Sequence, residues 1–117
     1  MEPTILEFTI RLKSAESLVT VLDRVEEILG CTMHSDSFAD EPAFVGDLLG
    51  TKIVMFNPRE IDGVYLYELQ GLVDREIYAN TDFNTINISE AILTIFERAE
   101  FHGWWKPSID ELISECE

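Results

Sequence analysis

The chain has 117 residues, of which 23 are acidic and 8 basic, for a formal charge of −15 at pH 7. That length suits one domain with its own core, and an apolar share of 46% excludes a chain too polar to fold. The charge argues against nucleic acid or an anionic membrane surface as a direct partner, since both are bound through positive charge, and it favours attraction to a basic protein.

No stretch approaches the apolar length of a membrane-spanning helix. The opening MEPTILEFTIRLK alternates apolar and polar residues around an early Glu, unlike a secretory signal. Cys31 and Cys116 are far apart and belong to no C-x-x-C motif, so reduced thiols in a cytoplasmic protein are expected.

Residues 4 to 13 alternate strictly. Leu6, Phe8, Ile10 and Leu12 share one face, and Glu7, Thr9, Arg11 and Lys13 the other, as in a strand with one buried side. Ser14 is placed to cap a helix whose apolar positions are Leu18, Val21, Leu22, Val25, Ile28 and Leu29, with Gly30 as its stop. Residues 31 to 50 show no clean period. Their Ser, Asp, Pro and Gly content predicts a long loop, with a short extended piece at Ala43 to Val45.

Lys52 to Phe56 and Val64 to Leu69 read as two strands of an antiparallel hairpin, joined across the turn dipeptides Asn57-Pro58 and Asp62-Gly63. Gly71 marks a break or bulge, Leu72 to Tyr78 a candidate further strand, and Asn80 to Asn87 a loop. Ser89 is placed to cap a second helix that runs to Gly103, with Ile88 and Leu93 as a hydrophobic staple and Ile92, Ile95, Phe96 and Ala99 as its apolar stripe. Trp104-Trp105-Lys106-Pro107 reads as a rigid linker. Ser108 and Glu111 then form a capping box for a short last helix. The expected fold is a single α+β domain over residues 1–117. It has two layers: a mixed sheet of three to five strands, with two longer helices and a short C-terminal helix on one face.

The chemistry-bearing residues are few. Cys31-x-x-His34 with nearby Asp36 has ligand-like spacing but falls short of the four ligands a structural zinc takes, and the carboxylates do not follow the alternation of a calcium loop. Neither His34 nor His102 lies in a nucleophile motif, and the glycines stand singly, not in a phosphate-binding loop. No cofactor, metal or catalytic residue is therefore expected. What stands out is charge placed among aromatics. Residues 31 to 50 carry Asp36, Asp40, Glu41 and Asp47 with no Lys or Arg, beside Phe38 and Phe44. Residues 57 to 82 carry six acids, Asp74, Glu76 and Asp82 among them, against Arg59 and Arg75. Tyr67 and Glu68 on the hairpin extend this second patch. Carboxylates speed encounter with a basic protein, and rings supply buried contact area; the plainer alternative is solvated loop acids with the phenylalanines pinned to the core.

In size, acidity and architecture the chain resembles the immunity proteins of bacterial contact-dependent growth inhibition and related toxin systems. The helix from Ser89 to Gly103, with its apolar stripe and acidic outer face, is similar to one in barstar-type ribonuclease inhibitors. The resemblance implies a catalytically empty cytoplasmic protein that binds and neutralises a basic toxin, most naturally a nuclease. Two rival readings are an acidic nucleic-acid mimic of the anti-restriction type and a small adaptor or assembly subunit.

Overall fold

The structure, a computed structural model, describes residues 3–73 and 79–111. The opening strand β1 (Thr4–Ser14) and helix α1 (Leu18–Leu29) form as the periodicity predicts. The cap differs: Ser17 is the N-cap of α1, its hydroxyl accepting from the Thr20 N–H at 3.4 Å. Ser14 ends β1, and its hydroxyl takes the Glu16 N–H at 3.0 Å, shaping the turn between them. Gly30 closes α1 in the left-handed region, as expected.

Residues 31 to 50 are not a loop. They form β2 (His34–Phe38) and β3 (Glu41–Leu48), which continue into β4 (Thr51–Phe56), β5 (Arg59–Ile61) and β6 (Val64–Leu72). The described residues thus build seven strands, more than expected, with order β2-β3-β4-β6-β1-β7 and β5 also paired to β6. The last strand, β7 (Asn84–Asn87), comes from residues read as loop; it supplies the parallel neighbour of β1, and every other pairing is antiparallel. On the edge of β1 that also pairs with β7, Trp105 exchanges two backbone hydrogen bonds of 2.8 Å with Arg11, so the tryptophan segment is tied to the sheet by a single bridge and is not a linker. The candidate strand at Leu72 to Tyr78 contributes Leu72 to β6; residues 74–78 lie outside the described residues.

Three of the connections are two-residue turns with positive φ at both central positions: Ala39-Asp40, Leu49-Gly50 and Asp62-Gly63. Such turns match the right-handed twist of the strands they join. Pro42 fits within β3 because its missing N–H would point past the end of β4. Between β4 and β5, Phe56, Asn57 and Pro58 stand opposite only Tyr67 and Glu68, which is a β-bulge.

Helix α2 (Ser89–Arg98) packs with α1 on the face of the sheet that carries Phe8, Ile10, Leu12, Ile53, Met55 and Leu69. Ser89 is its first residue, not its cap. The Asn87 side chain accepts the Ser89 N–H at 3.0 Å, while the buried Ser89 hydroxyl accepts the Thr9 N–H at 3.1 Å and ties helix to strand. The helix stops at Ala99, before Gly103, with Glu100 in the left-handed region and Phe101 N–H bonded back to the Phe96 carbonyl at 2.9 Å. The capping box is present: Ser108 Oγ accepts from the Glu111 N–H at 3.1 Å, and the Glu111 carboxylate accepts from the Ser108 N–H at 3.4 Å.

Gly71 sits inside β6, paired with Phe8 and Ile53, where a Cβ would overlap the buried Phe8 ring. Gly71→Ala is therefore expected to destabilise the protein by about 1–3 kcal/mol, the usual cost of overpacking. Urea unfolding should show a lower midpoint with an unchanged slope.

Candidate functional site

The face of the sheet away from the helices holds the site. Its residues follow from register. Phe38 pairs with Glu41, Asp36 with Ala43, His34 with Val45, and Asp47 with Lys52, and directly opposed side chains share a face. Asp36, Phe38, Glu41 and Asp47 therefore share this open face: Asp36, Phe38 and Glu41 lie at the turn end of the hairpin beside Asp40, while Asp47 lies six residues along β3 from Glu41, about 20 Å away, directly opposite Lys52. Asp36, Asp40, Glu41 and Asp47 are all exposed. Among the described residues, Asp40, Glu41 and Asp47 make no ion pair, while Asp36 Oδ2 lies 3.6 Å from His34 Nε2.

An apolar floor lies under the acids. Ala43, Val45 and Val54 are buried, with Phe38, Phe56 and Leu72 packed against them. The Phe38 and Phe56 rings are 5.9 Å apart, and Lys52 Nζ stands 5.8 Å from the Phe38 ring centre. Phe38 is thus half-buried and held, with one edge left at the surface.

At the bulge this face opens into a cavity of about 270 Å3 lined by Arg11, Glu41, Phe56, Asn57, Arg59, Leu66 and Glu68. Arg11 lies on the polar side of β1, as its alternation requires, yet it is only 6% exposed. Its Nε donates to Glu68 Oε1 at 2.9 Å, and Gln70 donates to the other Glu68 oxygen at 3.0 Å. The sequence contains both residues but gives no sign of the β1–β6 register that joins them.

The other predicted contacts separate from this patch. Phe44 points to the opposite face and packs against the main core, since its partner in β4 is Met55. Tyr67 is fully buried between the sheet and α1, its hydroxyl donating to the Glu16 carbonyl at 2.6 Å; it is a core residue, not a surface contact. Burial first, then the neighbouring Tyr65 and Glu16, hold its phenol above the ordinary range. Glu68 is committed to Arg11 and Gln70. Asp82 precedes β7, at the far end of the sheet from β2, so it belongs to a separate region. Asp74 and Glu76 lie outside the described residues.

Cys31 and His34 do not converge. Cys31 packs against the main core, while His34 is on the open face with its side chain 64% exposed. Burial, and then the Glu26 carboxylate, push the Cys31 thiol up. Among the described residues no three His, Cys, Asp or Glu side chains form a metal-binding group. His102 Nδ1 lies 2.7 Å from the Glu97 carboxylate at the surface below α2. No helix among the described residues is long and apolar enough to cross a membrane.

Comparisons with protein-family models, with curated proteins and with solved structures find no match to this chain.

Proposed function

We propose that the chain is an inhibitor of the immunity type, which binds a basic protein through the open face of the β2–β3 hairpin and neutralises it. It works by occupation and not by turnover. The observation that supports this most is the grouping of Asp36, Asp40 and Glu41, exposed at the β2–β3 turn beside the half-buried Phe38, on a chain of charge −15. Carboxylates at the rim accelerate encounter with a cationic surface, and the apolar floor supplies contact once water leaves. A nuclease toxin fits best, because a protein that grips phosphates carries the complementary positive surface.

The test is capture with the tagged chain from extract of its native cells at low and at high salt, with mass-spectrometric identification. The expected result is one basic protein retained at both salt levels, whose toxicity on expression is abolished by co-expression of this chain. Nothing bound at either salt, or a captured protein whose toxicity persists, would contradict the reading.

A further inference from the structure

The outer edge of β2 is the surface that carries a further inference. Among the described residues β2 ends the sheet, and His34, Ser35, Asp36 and Ser37 are exposed. The two-residue turn makes Phe38 and Glu41 a hydrogen-bonded pair, so Phe38, Asp36 and His34 direct their backbone groups to β3. Ser35 and Ser37 must then direct theirs outward. The Ser37 N–H agrees: it donates to Asp36 Oδ1 at 2.8 Å. Exposed edges are commonly blocked by Pro, Lys or a bulge. Among the described residues β2, five residues long, carries none of these, and the Asp36 carboxylate is folded over the Ser37 amide.

We propose that this edge accepts an extended strand of the basic partner, with Lys or Arg at alternate positions. The proposal rests on the function inferred above and specifies how that site engages its partner. An added strand would lie about 4.8 Å from β2, with alternate side chains on the open face next to Asp36. A cation there draws the Asp36 carboxylate away from Ser37 and frees the amide to pair. Charge and backbone pairing are thereby coupled: a strand without the cation meets a blocked edge. At the intervening positions the added strand faces only Ser35 and Ser37, whose small side chains accept any neighbour. A second copy of this chain is a poor occupant, because it would bring its own Asp36, Asp40 and Glu41 against the same carboxylates.

The probe is an octapeptide of alternating Lys and Thr, compared with a peptide of identical sequence whose alternate backbone amides are N-methylated. The parent peptide is expected to slow hydrogen exchange at the Ser35 and Ser37 amides and to bind about tenfold or more tightly than the methylated one. Ser35→Pro should abolish the difference while leaving the fold intact, since the Ser35 N–H does not serve the β2–β3 ladder. Equal binding of the two peptides with unprotected edge amides would overturn the edge proposal and leave the charge-based function standing. No binding of the parent peptide at millimolar concentration would overturn it as well. The function itself fails separately, if the captured basic protein binds a charge-reversed open face as tightly as the native one.

Discussion

Tyr67→Ala is expected to destabilise the protein by about 3–5 kcal/mol, a large part of the stability of a domain this size. The ring is wholly buried beneath α1, between β1 and β4, and its loss leaves a cavity that packed neighbours fill only in part. Tyr67→Phe keeps the ring and removes the 2.6 Å hydrogen bond to the Glu16 carbonyl, which should cost about 1 kcal/mol. Urea midpoints for the two variants separate these contributions. The same hydroxyl sets an alkaline limit. Its folded pKa is raised above the unfolded value, so the native state holds the proton more tightly. The associated stability is fully present below the unfolded pKa of about 10 and is lost as pH rises through the folded value. The stability of Tyr67→Phe should fall less steeply above that pH.

Reversing Asp40 and Glu41 to Lys is expected to slow association with the basic partner by about 10- to 100-fold at low salt, with little change in dissociation. Both acids are exposed and unpaired among the described residues, so their contribution is to the field that steers encounter. Asp36 is retained, which leaves the β2 edge guarded as in the native chain. Asp40 has a positive φ, where Lys costs about 1 kcal/mol more, so a denaturation curve must accompany the rates. The difference should shrink as salt screens the field. Equal rates at low salt would move the binding face elsewhere.

The sequence revealed the parts of the fold where periodicity is strong. From Leu6 onward β1 alternates large apolar and polar residues, and α1 carries an unbroken stripe from Leu18 to Leu29. β2 was invisible because an edge strand exposed on both faces has nothing to alternate: His-Ser-Asp-Ser reads as loop. Its turn was hidden too, since Ala39 adopts a left-handed conformation that Ala does not advertise, and Leu49 does the same in the next turn. Asp62-Gly63, with the residues such a turn favours, was legible. The acids of the site were visible as composition, but their faces were not. A one-residue change of register moves a whole strand of side chains to the other side, so Phe38 and Phe44 looked alike and lie on opposite faces. In VYLYEL both parities are apolar, and only pairing with β1 and β4 decides that Tyr67 and Leu69 go to the core while Leu66 and Glu68 face the cavity.

The central claim is neutralisation of a basic partner, and the most direct measurement is the partner's own activity as this chain is titrated against it. For a nuclease, that is cleavage of nucleic acid at fixed enzyme concentration. The account predicts that cleavage falls to background when the chain reaches one equivalent, and that the Asp40→Lys, Glu41→Lys variant needs a large excess to do the same. Full activity in the presence of excess native chain would contradict it.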